Sequence, residues 1–508
     1  MDVNYLVWIR ECIDICMHIE DIDEHSLKKR FEILENNYLN LNDIEKNKIN
    51  EFLNNEISED DYVYIASIII TCTSFDELKE IMINNILNME YDWIEGCMIE
   101  NQILARGNIS NYVLLNKIHQ KNVKLMSERF ELHLNYIPVI ERDKNKIVII
   151  TSSLLSEYHA PTKVLFRFVH VLQEIMRYDV EVFVCPLNRK MSHEWYNPLY
   201  MQNLEKWETK RLKINYEDTI IKGYQISMGT NVEKEYQMML ELIQAWKPIF
   251  VFQLGNINPI GDLTCEITTN VARSMSIHLP VSNAEYLLSL KSNKDEEKFI
   301  PRKQKIIYPK KILEYFECDK NAYTRNEFGF KENWFLIAIV GNRLDIEIDE
   351  KFIEILKKMQ KTDSNIIYVI IGECEILKEK INKKETIQAV FLGERGDLMK
   401  IYPMMDLYLN PKRAGGGYSS LMALAAEVPV ITLPDCDVAY NVGNEFVVSN
   451  YNELVDMVHC YVNNSDAYRE KKEAAKEFDK KNSKEEMYKN TAKELEKIIH
   501  AIEKGNYN

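Results

Sequence analysis

A run of about 18 apolar residues, the minimum for a membrane-crossing helix, occurs nowhere in the 508-residue chain. The opening MDVNYLVWIRECID carries acidic groups and lacks the basic start and small-residue cleavage site of a signal peptide, so a cytoplasmic protein is expected. The ten cysteines are scattered and form no C-x-x-C pair or zinc spacing. The one close pair, Cys12 and Cys16, falls on one face of an expected helix, and the set reads as small buried hydrophobes in a reducing compartment. A positive balance is missing too. Lys and Arg number 63 against 79 Asp and Glu, a net charge of -16, which repels a nucleic-acid backbone at long range but leaves room for a local basic patch on a small diphosphate. No D-x-D triplet sits on a loop, the acids of DIEIDE (345–350) reading as a helix start, so neither a catalytic metal nor a bound cofactor is expected.

Proline is absent from residues 1–137, and only Gly96 and Gly107 interrupt that stretch. Apolar residues recur there at helical spacing, in YLVWIRECIDICMHI, LKKRFEILENNYLNL and FDELKEIMINNIL, so residues 1–137 are expected to form a helical domain, an acceptor or partner platform or a cover for the neighbouring domain. From Pro138 the texture changes. KIVIITSS (146–153), APTKVLFRFVHVLQEIMRY (160–178) and DVEVFVCPL (179–187) read as strand, helix and strand, a βαβ unit that starts a parallel sheet. EKEYQMMLELIQAWKPIFVFQLG (233–255) repeats the pattern, and the charged run KSNKDEEKFIPRKQK (291–305) leads into a second α/β region, giving domains at 138–320 and 321–482 and a final helix at 483–508. Three domains suit the length, since single cores stop growing near roughly 250–300 residues. With 46% hydrophobic and 28% charged residues, the composition is that of an ordinary globular protein.

The stretch LNPKRAGGGYSSLMALAAEVPVITLP (409–434) says most about function. It reads as strand, glycine-rich turn, helix and second buried strand, the order of a phosphate-binding unit. Gly415, Gly416 and Gly417 leave room for a close ligand, and the helix that begins near Ser419 aims free backbone N–H groups and its positive dipole end over the turn. The spacing is neither G-x-x-x-x-G-K-[ST] nor G-x-G-x-x-G, so neither a P-loop nor an ordinary dinucleotide fingerprint is supported. Arg343, in VGNRL at the end of a strand, and Lys412, before the turn, are candidate charges for a diphosphate. The hydroxyls of Ser419 and Ser420 can bond phosphate oxygens.

This segment resembles the sugar-nucleotide site of glycosyltransferases with the GT-B fold. AYTRNEFGFKENWFLIAIVGNRLDIEIDEKFIEILKKM (322–359), NIIYVIIGE (365–373) and AVFLGERGDLMKIYPMMDLYLNP (389–411) are similar to the rest of the donor domain in the same order. The resemblance implies two Rossmann-like α/β domains facing a cleft, preceded by the all-helical domain, with the C-terminal helix crossing back to brace the first of them. It implies a diphosphate contact at Arg343. The loop SSLLSEYHAPTKVLF (152–166) resembles the His-Pro-Thr loop of O-GlcNAc transferase and related cytoplasmic protein glycosyltransferases, which makes His159 the candidate base or acceptor contact. Asp262 and His278 are weaker alternatives.

Three positions depart from the family. The acids of its Glu-seven-residues-Glu pattern are Ala414 and Met422 here, and Glu427 stands where a glycine usually ends the helix. Met422 cannot accept hydrogen bonds from ribose, which leaves Glu394, in the GERGD loop, as the candidate for that task. The expected function is therefore transfer of a hexosyl or N-acetylhexosaminyl group from a nucleotide sugar, UDP-linked first, to a hydroxyl of a protein, peptide or glycan without metal. The alternative is a degenerate GT-B subunit that binds an acceptor or a second transferase. A homo-oligomer is a further possible partner state, and nucleic acid is not an expected partner.

Overall fold

The computed structural model describes residues 5–505 apart from 19–21, 23, 59–61, 64, 67–69, 71–76, 106–111, 157–158, 187–209, 227–231, 276–277, 293, 299, 301–302, 318–320, 385, 414 and 481. The chain divides into one unit of Met1–Pro309 with Glu494–Asn508 and another of Lys310–Lys493. Among the described residues no helix is long and apolar enough to cross a membrane.

In the first unit every described element up to Arg129 is a helix: Tyr5–His18, Glu24–Leu39, Asp43–Glu56, Glu77–Asn88, Trp93–Ala105 and Tyr112–Arg129. Local chemistry starts them. Asn42 accepts from the Glu45 N–H at 3.0 Å while Glu45 reaches back to the Asn42 N–H at 3.1 Å, and Asp92 and Glu95 repeat this reciprocal cap. Their buried faces, with Trp8, Leu34, Ile49, Leu115 and Ile118, form one apolar cluster with Ala272 and Leu287 of the neighbouring sheet and with Val281 in the loop between their strands. The helical region and the sheet therefore share a core.

A polar joint lies beside that core. His119, fully buried on Tyr112–Arg129, contacts Glu100 at 3.2 Å through Nδ1 and Asp262 at 2.6 Å through Nε2. The Asn122 amide donates to Glu100 at 2.8 Å, and Gln253 donates to Asp262 at 3.0 Å. Ser282 and the Asn283 N–H also donate to Asp262. Burial alone would lower the His119 pKa, but the two carboxylates overcome it and raise the value to about 10.

The sheet of the first unit has eight strands: β1 Asp143–Thr151, β2 Asp179–Val184, β3 Arg211–Tyr216, β4 Thr219–Gln225, β5 Pro248–Leu254, β6 Asn270–Arg273, β7 Tyr286–Leu288 and β8 Lys305–Ile307. Their order is β3-β4-β2-β1-β5-β6-β7-β8, parallel throughout except for the β3–β4 hairpin. Helix Ala160–His170 follows β1 and continues as a π-helical turn, Val171–Ile175, which replaces the last part of the longer α-helix that the pattern 160–178 predicts. The final helix, Lys484–Gly505, begins in the second unit. Its last turns belong to the first, where Glu494 pairs with the buried Arg273 at 3.2 Å and the Ala501 carbonyl accepts from the Tyr286 hydroxyl at 3.0 Å.

The second unit carries five parallel strands, β9 Phe335–Val340, β10 Ile366–Ile371, β11 Ala389–Phe391, β12 Leu407–Leu409 and β13 Val430–Ile431, ordered β11-β10-β9-β12-β13. In order of appearance this is 3-2-1-4-5, the Rossmann order. Apolar side chains cover both faces, as a parallel sheet between helices requires: Ile337, Ile339, Tyr368 and Ile370 enter one cluster, and Leu336, Ala338, Val340, Ile367 and Val369 the other. The direction of connection reverses between β9 and β12. The loops that leave the carboxyl ends of those two strands are the ones that begin at Gly341 and Asn410.

Candidate functional site

After β12 the chain passes Asn410 and Arg413 into the glycine triplet. Gly415 and Gly416 take φ of +116° and +80°, the left-handed region that a side chain resists, and Gly416 caps the helix Gly417–Ala425. Space is short as well: a Cβ on Gly416 would stand 2.6 Å from Arg413 Nη2 and 2.8 Å from Asn410 Oδ1. The first N–H groups of the helix have no intrahelical acceptor, so the turn presents donors and the positive dipole end together.

Beneath the turn lies Arg413, its side chain only 3% exposed. It donates to Asn410 Oδ1 at 3.0 Å, to the Val340 carbonyl at 2.6 Å and to Glu347 Oε2 at 2.8 Å. Arg343, at the start of the short helix Leu344–Glu347, pairs with the other oxygen of the same carboxylate, Glu347 Oε1, at 2.8 Å. Its Nη2 would lie 3.1 Å from a Cβ on Gly415, so the guanidinium rests against the glycine turn. Two arginines and one carboxylate leave this cluster with one net positive charge.

Lys412 is exposed. Ser420 is buried, and its hydroxyl donates to the Gly417 carbonyl at 2.8 Å, so its hydrogen is already held by the helix. Ser419 is half-buried on the first turn. Glu394 follows Gly393 (φ +65°) and accepts from Asn342 at 2.9 Å, which ties it to the residue before Arg343. Met422 is buried in an apolar cluster with Leu424 and Val438, and Ala414 lies outside the described residues.

His159 belongs to the first unit. It precedes helix Ala160–His170, its Nδ1 lies 3.2 Å from Thr162 Oγ1, and its carbonyl accepts from the Lys163 N–H. His278 is half-buried. Asp262, 2% exposed and engaged with His119, Gln253, Ser282 and Asn283, is shut away from any acceptor, which removes it as a base.

Sequence reasoning missed Arg413, the buried second partner of the Glu347 carboxylate.

Residues 337–464 match the family model described as glycosyl transferases group 1. The chain carries a glycosyltransferase domain. An O-GlcNAc transferase from Thermobaculum terrenum, solved as a point mutant, is similar over 98% of this chain and 98% of its own with a TM-score of 0.51 at 12% identity, a likeness of fold. That fold is GT-B, here with a helical region ahead of the two α/β sheets. A glycosyltransferase from Rickettsia africae is similar over 71% of this chain and 99% of its own (TM-score 0.47, 12% identity), and Anabaena HepE in complex with UDP and glucose over 70% and 99% (TM-score 0.46, 12% identity). No curated protein matches the sequence.

The glycosyltransferase helix ends on a strained residue. The Val428 N–H bonds the Ala423 carbonyl and the Glu427 N–H bonds the Leu424 carbonyl, which is the Schellman pattern with Glu427 in the left-handed position at φ +60°. A side chain there costs roughly 1–2 kcal/mol. Glu427→Gly should therefore raise the unfolding free energy by about 1 kcal/mol, read as a higher urea midpoint at unchanged slope; an unchanged or lower midpoint contradicts the strain argument.

Proposed function

We propose that the chain moves a hexosyl or N-acetylhexosaminyl group from a nucleoside diphosphate, UDP first, to a hydroxyl of a protein or peptide, with a glycan second, and that no metal takes part. The observation that carries this reading is the Arg343 guanidinium against the glycine turn, at the reversal point between β9 and β12 where ligands of such sheets bind. In this reading the diphosphate lies over Gly415, Gly416 and Gly417, met by first-turn N–H groups, the Ser419 hydroxyl and the Lys412 ammonium. Ser420 joins only if its hydroxyl leaves the Gly417 carbonyl. Glu394 takes the ribose hydroxyls in place of the carboxylate that Met422 lacks.

As the bond from the anomeric carbon to the phosphate oxygen breaks, negative charge builds on that oxygen. Arg343 and the turn N–H groups stabilise it, the work a metal does elsewhere. The acceptor oxygen bonds the anomeric carbon and gives up its proton to His159. Residues 1–137 are the proposed platform for the acceptor, a partner transferase or a second copy.

The test is nucleotide release by the purified chain across a panel of nucleotide sugars, with and without EDTA. Release from a UDP-sugar that chelator does not change, and that falls roughly 10²-fold in His159→Ala, is expected. Collapse on chelation overturns the metal-free arm. Silence across the panel with a co-purifying transferase overturns the enzyme reading in favour of a degenerate subunit, the outcome that Met422 would explain.

A further inference from the structure

Glu347 is the unusual member of the site, a carboxylate where an anion is meant to bind. A Cβ on Gly415 would lie only 3.7 Å from its Oε1. The two pairs it makes differ in burial. Its Oε2 pairs with Arg413, which is 3% exposed, and removing the counterion of a buried charge is strongly unfavourable. Its Oε1 pairs with Arg343, which is 39% exposed, and such a pair is weak and screened by water. The carboxylate is thus fixed on one side and replaceable on the other.

We propose that Glu347 is an internal competitor of the donor: its carboxylate pairs with Arg343, and a nucleoside diphosphate takes Arg343 from it while Arg413 keeps hold of the other oxygen. This rests on the donor-site reading above. Glu347 acts through the arginines as a positioning residue, holding Arg343 against Gly415 before the donor arrives and opposing binding in proportion to the negative charge the ligand brings. Arg413 cannot follow the ligand, because Asn410 and the Val340 carbonyl anchor it under the turn.

The experiment is calorimetry with uridine, UMP and UDP on the wild type, Glu347→Gln and Glu347→Asp. Glu347→Gln keeps the shape and removes the charge, and its UDP affinity should rise about fivefold, the equivalent of releasing an exposed ion pair. The gain should shrink for UMP and vanish for uridine, an order by charge that a purely structural role would not produce. If loss of the Arg413 counterion leaves Glu347→Gln unfolded, Glu347→Asp decides. Its shorter side chain reaches one guanidinium, stays with the buried one, and should also tighten UDP more than uridine. Equal changes for all three ligands, or weaker UDP binding in every folded variant, overturns the proposal. Wild type that binds UDP while neither variant gains sinks this inference alone; no binding by any of the three proteins sinks the donor-site reading with it.

Discussion

Turnover by Arg343→Ala is expected to fall by roughly 10²- to 10³-fold, the usual cost of removing one preorganised donor from the charge that develops on a leaving oxygen. Arg343 is the charged side chain that meets the glycine turn at its surface, whereas Arg413 lies beneath it and is tied to the Asn410 side chain and the Val340 carbonyl. The loss should appear in kcat for nucleotide-sugar cleavage, with the fold unchanged, because a side chain 39% exposed contributes little to stability. Lys412→Ala, at an exposed position, should cost much less and mostly in KM. Equal kcat in Arg343→Ala and wild type would take Arg343 out of the transition state.

The largest effect on stability is expected at Asp262. Asp262→Ala removes the acceptor for His119, Gln253, Ser282 and the Asn283 N–H in a fully buried setting, and should cost roughly 3–5 kcal/mol, measured by chemical unfolding. The same joint predicts a pH dependence. His119 binds its proton more tightly when folded, at about 10, than its ordinary 6.5, so the stabilisation is complete below about 6.5 and is lost as pH rises through 10. Unfolding free energy of the wild type should therefore decline across that window by on the order of 1 kcal/mol per pH unit, and the decline should flatten in Asp262→Ala. A wild-type profile that is level from pH 7 to 10 would mean that His119 is neutral in the fold.

Much of the second unit is legible in one dimension because its signals are local. Runs such as FLIAIV and IIYVII become strands buried on both faces, and a glycine triplet before an apolar helix becomes a turn with left-handed residues. The missing glycine at 427 was visible as well, and the backbone keeps the left-handed bend there in spite of the side chain.

The described helices up to Arg129 were legible because no proline and almost no glycine interrupts an apolar repeat in residues 1–137. That this region shares its core with the sheet was not, since the cluster joins Leu115 and Ile118 with Ala272 and Leu287, far along the chain. The π-helical turn after His170 leaves the same periodic pattern as an α-helix, so spacing cannot distinguish it.

What the sequence determined by itself was the order of strands and helices, the glycine turn between the fourth strand of the second unit and its helix, and the sign of the charge set beside it. These depend on φ preferences, burial periodicity and residue type, all carried by neighbours in the chain. Only the tertiary structure decided which arginine faces the turn and which supports it from below. Lys412 and Arg413 are adjacent in sequence, and the difference between them is made by Glu347, 66 residues earlier than Arg413, whose carboxylate can neutralise a buried guanidinium only where β9 and β12 lie side by side. The partner of a buried charge is chosen by distance in space and by the cost of leaving that charge uncompensated, and neither is written in local spacing.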